Sequence, residues 1–316
     1  MAGWIEFLKS HSKNLLRPAE GYGDWISPVN TPKDVFATAY FAHSTQLLSR
    51  MAKAIGKNED AARYQDLFQQ IKEAFNQAYV SQDGKIKGDT QTCYALALYF
   101  DLLPEEKRQM AGEHLVAAIE QRNWHVSTGI VGTGLLLPSL TKVGRTDVAY
   151  RLLNNDTFPS WGHMIKNGAT TLWECWDSWT EEKGFQDHSF NQPALGAVGQ
   201  WLFTVVAGIQ TDGPGFKRLK IKPQPGGGMN YMKAGYNSIC GRITIEWRID
   251  DGNFTLDITI PANVSATVFI PAGDKKEVTE GGRTAGQADG VKFLRMEGNA
   301  ALYEVGSGAY HFVVKK

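Results

Sequence analysis

The spacing of the apolar residues changes once along this chain, and that change restricts the folds open to it. From Trp4 to about Ile209, apolar side chains recur at i, i+3 and i+4, the spacing of helices that pack on one side. Beyond that point the period falls to two, most clearly over residues 243–260, where apolar and polar residues alternate as in strands with one buried face. The sequence therefore predicts an α+β chain, with a helical domain over residues 1–209 and an antiparallel β-sandwich over residues 210–316.

Helix start and stop signals divide the first part into about eight or nine helices joined by short connections. The clearest helix opens at Thr31-Pro32, a hydroxyl that can cap a helix followed by proline at the first helical position, and it ends at Gly56. The others are predicted over residues 64–75, 92–103, 104 onward, 130–143, 146–154 and 193–209. Short connections of this kind favour an all-helical array of hairpins.

Turn signals separate the alternating segments of the second part. Asp251-Gly252-Asn253 predicts a hairpin loop between two strands. Further strands are predicted over residues 218–222, 266–270, 291–296 and 310–314. Glycine and proline cluster near residues 210–215, and we expect the boundary between the two domains there.

The charged residues argue against several classes of partner. The chain has 33 basic and 33 acidic side chains among 316 residues, and neither lysine nor arginine forms runs. Nucleic acids and anionic membranes bind basic patches, so neither is predicted as a partner and a neutral ligand is favoured. No apolar run reaches the roughly 18 residues of a membrane span, and the first residues lack a signal-peptide pattern. We therefore expect a soluble chain, with the compartment of its parent protein left open.

Cysteine and histidine give no signature of a metal site or of a disulfide framework. Cys93, Cys175 and Cys240 are odd in number and far apart, and the seven histidines lack the paired spacing of metal ligands. The sequence therefore predicts buried free thiols, no metal site and no cofactor.

Tryptophan is concentrated in one segment of the helical part. Four of the nine tryptophans fall within residues 161–179, at Trp161, Trp173, Trp176 and Trp179. They can fill a helical core, because each indole buries a large area. They can also stack on the C–H face of a sugar while Glu174 and Asp177, which lie among them, bind its hydroxyls. The second interpretation predicts a carbohydrate site.

Two carboxylates are candidates for function at such a site. Glu174 lies in an apolar stretch, and glutamate is rarely buried without a partner, so it is either paired structurally or kept for chemistry. Gly21 and Gly23 allow a tight loop that presents Asp24 and Trp25 together, although Asp24 can equally cap an ordinary turn.

These residues, with others in the same order, resemble glycoside hydrolase family 78, the α-L-rhamnosidases. The matching blocks are Tyr22-Gly23-Asp24-Trp25, Ser127-Thr128-Gly129, Trp161-Gly162, Gly168–Glu174, Ser189-Phe190-Asn191 and Gly213-Pro214-Gly215-Phe216. Together they extend over essentially the whole chain. The resemblance implies an (α/α)6 barrel of six helical hairpins with a sugar site at one mouth, a following β-sandwich, and hydrolysis of terminal α-L-rhamnose with inversion of configuration.

The resemblance also implies roles for individual residues. Glu174 matches the general base that activates water, and Trp25 matches an indole that contacts the rhamnose ring. Asp24 is predicted to bind a sugar hydroxyl. Gln192 stands where the family commonly has histidine, so its role is limited to binding. Further candidates for substrate binding are Trp173, Trp176 and Asp177.

One member of the inverting carboxyl pair is not found in the matching blocks. The family's general acid lies in an acidic block upstream of the Gly-Asp-Trp loop, and nothing before Gly21 matches it. A complete barrel also needs more helices than the sequence predicts here. We therefore expect this chain to be the C-terminal part of a longer enzyme, with an incomplete barrel. The exposed apolar faces of such a barrel should bind the upstream portion of the enzyme or a second copy of the chain. Without the general acid, we expect the chain alone to have negligible activity on natural rhamnosides.

Two alternative functions stay open. One is a non-catalytic carbohydrate-binding fragment that keeps the tryptophan platform. The other is a related (α/α)6 hydrolase that acts on a different deoxysugar or on a uronic acid.

Overall fold

The computed structural model describes residues 1–315, which form two compact units that divide between Val198 and Gly199. The division falls before the boundary expected near residue 210, because residues just after it already pack with a sheet of the second unit. There, indole Nε1 of Trp247 donates a hydrogen bond of 2.8 Å to the carbonyl of Val206. The predicted order, a helical domain followed by largely antiparallel sheets, is confirmed.

The first unit is built from α-helices and one short pair of strands. Its helices are α1 (Ala2–Ser10), α2 (Lys33–Ala54), α3 (Asn58–Tyr79), α4 (Gln91–Tyr99), α5 (Glu105–Glu120), α6 (Ile130–Lys142), α7 (Thr146–Leu153) and α8 (Trp161–Lys166), and α9 (Val198–Trp201) lies across the division. Within residues 1–315 these nine helices match the predicted number. None of them is both long enough and apolar enough to cross a membrane.

Three helical hairpins organise the first unit. α2 packs with α3, α4 with α5 and α6 with α7, while α4 contacts both α2 and α6. Residues Gln91 to Leu98 of α4 are all buried, which is typical of a helix surrounded by protein. α3 buries a single stripe that includes Tyr64, Phe68 and Phe75. The hairpins therefore form two layers, with α4 in the inner one.

The start of α2 differs from its prediction. The helix begins at Lys33, and Thr31 does not cap it. The hydroxyl of Thr31 lies 3.1 Å from that of Thr90, the residue whose side chain does cap α4. Tertiary contact with the next hairpin has replaced the local cap.

The helix predicted over residues 193–209 is not continuous. The chain forms a 3₁₀ turn at Ala194–Ala197, the single turn of α9 and a π-helical turn at Leu202–Val206. Gly196 and Gly199 weaken a regular helix at this point, because glycine loses more backbone entropy in a helix than other residues do.

Two sheets form the second unit. The strands of the first unit are β1 (Trp179–Thr180) and β2 (Gly184–Phe185); those of the second are β3 (Ile209–Thr211), β4 (Arg218–Ile221), β5 (Tyr231–Ser238), β6 (Gly241–Asp250), β7 (Asn253–Ile260), β8 (Ser265–Pro271), β9 (Val278–Glu280), β10 (Arg283–Thr284), β11 (Val291–Glu297), β12 (Ala300–Val305) and β13 (Gly308–Val314). The six-stranded sheet has the order β10-β9-β13-β7-β6-β5, and the five-stranded sheet has the order β11-β12-β8-β4-β3. Only β4 and β8 pair in parallel among the described strands.

The alternation seen in the sequence sets which residues fill the core of these sheets. Ile243, Ile245 and Trp247 of β6 are fully buried, and the hairpin to β7 turns at Asp251-Gly252 as predicted. β5 was not predicted, because Ala234 is its only buried residue and its other side chains carry no alternation of polarity.

We predict that Gly208→Ala destabilises the second unit more than Gly228→Ala does. Both glycines have positive φ, +82° and +79°, so each substitution should lose about 1–2 kcal/mol to backbone strain. A Cβ at residue 208 would also lie 2.2 Å from the nitrogen of Pro223, whereas the space beside residue 228 is open. Crowding should therefore add about 1–3 kcal/mol at residue 208 alone. Calorimetric unfolding of both variants measures the difference, and equal transitions would contradict it.

Candidate active site

The Gly-Asp-Trp loop presents one indole to solvent and buries the carboxylate beside it. Gly21 and Gly23 have φ of +85° and +66°, the left-handed conformation that favours glycine. Trp25 is 50% exposed, and its ring meets that of Tyr22 edge-on at a centroid distance of 5.4 Å. Asp24 is only 8% exposed. The loop therefore offers a free aromatic face and keeps its charge inside.

The carboxylate of Asp24 is fully engaged by the start of α6. One oxygen, Oδ1, accepts hydrogen bonds from the backbone N–H groups of Val131 and Gly132 at 3.0 and 2.9 Å. The other oxygen, Oδ2, accepts from the N–H of Gly129 at 2.8 Å and from the hydroxyl of Thr92 at 2.5 Å. Helix N-termini have unpaired N–H groups and attract negative charge. These bonds give Asp24 a positioning role, and its predicted contact with a sugar hydroxyl stays a prediction.

The backbone of this loop also lies against α6. The N–H of Ile130 donates to the carbonyl of Trp25 at 2.9 Å. A Cβ at Gly129 would lie 2.3 Å from that same carbonyl oxygen, so only glycine permits the approach. Side-chain and backbone contacts together hold Trp25 at the N-terminal end of α6.

Glu174 lies on a long, irregular hairpin formed by residues 172–192, which we call the site hairpin. Its two arms run antiparallel: the N–H of Gln192 donates to Leu172 O, that of Glu174 to Ser189 O and that of Gln186 to Ser178 O, at 2.8–2.9 Å. Pairing of β1 with β2 continues the register of the Ser178–Gln186 contact to the tip, and the Glu174–Ser189 contact is offset from that register by one residue. The arms are therefore fixed relative to one another along most of their length.

Glu174 is half-buried and is held by the opposite arm. Its Oε2 accepts a hydrogen bond of 2.9 Å from the N–H of Ser189, and its own N–H donates to the carbonyl of the same residue. Ser189 was part of a motif in the sequence, but only the antiparallel register reveals it as the anchor of the carboxylate.

The site hairpin and the Gly-Asp-Trp loop meet at the same short segment. Indole Nε1 of Trp176 donates to the carbonyl of Thr128 at 2.8 Å. Thr128 is followed by Gly129, whose N–H binds Asp24. The structure thus bonds both the hairpin that carries Glu174 and the loop that carries Trp25 to Thr128 and Gly129, just before α6.

Trp173 and Trp176 are core residues. They are 3% and 2% exposed, and Trp176 packs edge-on against Trp161 at a centroid distance of 5.2 Å. Indole Nε1 of Trp161 donates a hydrogen bond of 3.0 Å to the carbonyl of Leu195. These indoles pack in the core, as the first of the two interpretations of the tryptophan cluster predicts, and their contacts with a sugar stay predictions.

Gln192 and Asp177 lie on the two arms of the site hairpin, and neither is fully buried. Gln192 Oε1 accepts from the N–H of Ala194 at 3.0 Å, which leaves its amide nitrogen for other partners. Asp177 forms an ion pair of 3.4 Å with Lys183 near the hairpin tip. Their predicted contacts with substrate stay predictions.

The site hairpin also gathers three potential metal ligands, although the sequence predicted none. One ligand atom from each of Cys175, Asp177 and His188 lies within 4.8 Å of the other two. Burial, followed by the charges of Asp177 and Glu174, raises the pKa of the Cys175 thiol to about 12. The thiol is therefore protonated at neutral pH when no cation is bound.

We predict that Asp24→Ala lowers the free energy of unfolding by at least about 3 kcal/mol, because it leaves several donors near the start of α6 without an acceptor. Asp60→Ala is the matched control. Asp60 lies in the first turn of α3 and pairs with Arg63 at the surface, so its loss should stay within about 1 kcal/mol. Urea unfolding followed by circular dichroism measures both changes. Similar losses in the two variants would contradict the positioning role.

Two family models match the chain. The bacterial alpha-L-rhamnosidase 6 hairpin glycosidase domain matches residues 1–206, and the bacterial alpha-L-rhamnosidase C-terminal domain matches residues 208–285.

Individual relatives agree with these matches. An α-L-rhamnosidase of Streptomyces avermitilis is 47% identical over 317 residues, 98% of this chain and 30% of the relative. One of Formosa agariphila is 32% identical over 328 residues, 100% of this chain and 35% of the relative. The crystal structure of the S. avermitilis α-L-rhamnosidase complexed with L-rhamnose matches with a TM-score of 0.93 over 99% of this chain and 30% of that one.

This chain thus spans about a third of the length of these relatives. The family models match residues 1–206 and 208–285, and the matches to α-L-rhamnosidases in sequence and in fold extend over 98–99% of this chain. On these grounds the chain belongs to the bacterial α-L-rhamnosidases, glycoside hydrolase family 78.

Proposed function

We propose that this chain carries the general base and part of the sugar pocket of an enzyme that releases terminal, non-reducing α-L-rhamnose from glycosides with inversion. The position of Glu174 is the observation that carries the proposal. Its carboxylate is half-buried and held by one backbone N–H, on a hairpin that is bonded to the segment supporting Trp25. Relatives named as α-L-rhamnosidases support the choice of sugar.

Glu174 suits the role of base because its carboxylate is both restrained and open. Oε2 accepts from Ser189, and Oε1 has no hydrogen-bond donor within residues 1–315. Oε1 can therefore accept a proton from a water molecule. In an inverting hydrolysis that water attacks the anomeric carbon from the face opposite the departing oxygen.

A carboxylic acid must protonate the departing oxygen on the other side of the sugar, roughly 6.5–9.5 Å from the base. We assign that acid to the portion of the relatives that this chain does not span. Without it, glycosides with ordinary alcohol leaving groups should react slowly, because general acid catalysis contributes about 10²–10⁴-fold. Glycosides with a phenolate leaving group depend on the acid much less.

Trp25 supplies the apolar side of the proposed pocket. Its half-exposed indole can stack on the C–H face of the rhamnose ring, and the amide nitrogen of Gln192 can donate to a hydroxyl. Stacking does not require Glu174. Binding without hydrolysis is therefore the second candidate function, and it is separable from catalysis by mutation.

We predict that Glu174→Gln lowers the turnover of an aryl α-L-rhamnoside by at least about 10²-fold, because the amide cannot take a proton from water. Release of the phenolate measures turnover. Glu182→Gln is the matched control, since Glu182 is exposed near the tip of the same hairpin and should be silent. Proton NMR of the first product should give the inverted, β anomer of L-rhamnose. Full turnover in Glu174→Gln, or an α anomer formed first, would contradict the proposal.

We predict that Trp25→Ala weakens the binding of L-rhamnose by about tenfold, because removal of an anchoring indole typically loses more than 1 kcal/mol. Titration calorimetry with free L-rhamnose measures the affinity. Trp4→Ala is the control, since Trp4 is 57% exposed on α1 and lies outside the proposed pocket. Binding in the wild type with no turnover of the aryl glycoside would favour the binding function, and unchanged affinity in Trp25→Ala would contradict both.

A further inference from the structure

The site hairpin brings together three ligand atoms of different chemistry on its two arms. Cys175 and Asp177 belong to the first arm, and His188 belongs to the second. The sulfur, one carboxylate oxygen and one ring nitrogen all lie within 4.8 Å of one another. Residues that are 11 to 13 positions apart in sequence have thus become neighbours in space.

The fold of the hairpin accounts for this proximity. Glu174 and Ser189 are hydrogen-bonded backbone to backbone, so the next residue of one arm, Cys175, lies opposite the preceding residue of the other, His188. Residues 175–178 then form a turn, closed by a bond of 3.3 Å from the N–H of Ser178 to the carbonyl of Cys175. That turn carries Asp177 back beside the sulfur.

The ligand set is one that zinc favours. Zinc binds thiolate, imidazole and carboxylate, and sites with three protein ligands keep a fourth position open for water. A tetrahedral site with ordinary bond lengths holds its ligand atoms about 3.4–3.6 Å apart, so the three side chains would close in on the ion from separations of up to 4.8 Å. Calcium and magnesium prefer ligand sets made only of oxygen atoms, so a site with a sulfur and a ring nitrogen does not suit them.

The charges around the cluster also favour a cation. A carboxylate oxygen of Asp177 lies within 4.8 Å of the sulfur, and a second carboxylate, that of Glu174, belongs to the residue directly before Cys175. Asp177 is paired with Lys183, but that ion pair is long, at 3.4 Å, and the lysine is mostly exposed. A surface ion pair of this kind contributes little to stability, so a divalent ion can replace the lysine as the partner of Asp177.

We propose that Cys175, Asp177 and His188 bind one zinc ion, which joins the two arms of the site hairpin. His188 directly precedes Ser189, the residue that holds Glu174 by its N–H. The ion would therefore fix the anchor of that carboxylate without touching the sugar. The site does not depend on the function proposed above, because it is defined by metal binding alone.

Cobalt and zinc titrations test the proposal directly. The wild-type chain should bind one equivalent of Co²⁺ and show the near-ultraviolet charge-transfer band of a thiolate ligand, and Zn²⁺ should displace the cobalt. Cys175→Ser should abolish the band, and His188→Gln should weaken Zn²⁺ binding at least about tenfold. Cys240→Ser is the matched control, because Cys240 lies in the second unit on the turn between β5 and β6.

Hydrogen exchange tests whether the ion joins the two arms of the site hairpin. The amides of Gln186 and Ser189 should exchange hydrogen more slowly when Zn²⁺ is bound. Because residue 188 lies outside the core, His188→Gln keeps the proposal testable if the Cys175 variant misfolds. Circular dichroism checks that His188→Gln is folded. The proposal is overturned if excess Co²⁺ gives no thiolate band in the wild type, if folded His188→Gln binds Zn²⁺ as tightly as the wild type, or if bound Zn²⁺ leaves both amides unchanged.

Discussion

The carboxylate of Asp24 is the interaction on which the candidate site depends. It satisfies three backbone N–H groups near the start of α6, where the helix dipole favours negative charge, and it binds the hydroxyl of Thr92 on α4. One buried side chain therefore joins a loop to two helices of different hairpins. Because Trp25 directly follows Asp24, the same bonds that stabilise the helix also decide where an exposed indole stands. The hydrogen bonds of the Asp24 carboxylate thus account both for the burial of Asp24 and for the exposed position of Trp25.

The proposed base, Glu174, is carried by irregular backbone, an arrangement that is common in enzymes, where a rigid scaffold positions functional loops. A carboxylate on a free loop would sample many positions. Here the site hairpin is closed by backbone hydrogen bonds along its arms, and Trp176 ties it to Thr128 in the core. Glu174 thus gains a defined position while remaining half-buried, which keeps its carboxylate accessible to water.

Much of the fold could be predicted because it follows from local spacing. The change of period, the ends of most helices and the turn at Asp251-Gly252 are encoded by residues close in sequence. The site could be predicted only in part. Trp25 and Trp173 each neighbour a carboxylate in sequence, yet one is 50% exposed and the other 3%. Nothing local separates them, because the neighbours that bury Trp173, such as Phe190, come from another segment.

The same limit applies to the partners of Asp24, for which the sequence left a capping role open without naming the helix, and to the cluster on the site hairpin, which the sequence did not predict. Asp24 bonds to groups 105–108 residues away, so its function as a helix cap is invisible to any motif based on adjacent positions. Cys175 and His188 become neighbours only through the antiparallel register of two arms that contain little regular strand. Ligand spacing in sequence detects metal sites built on one turn or helix. A site built across a hairpin can be predicted only once the register of its arms is known, and here the register is set by the backbone contacts that also hold Glu174, the proposed base.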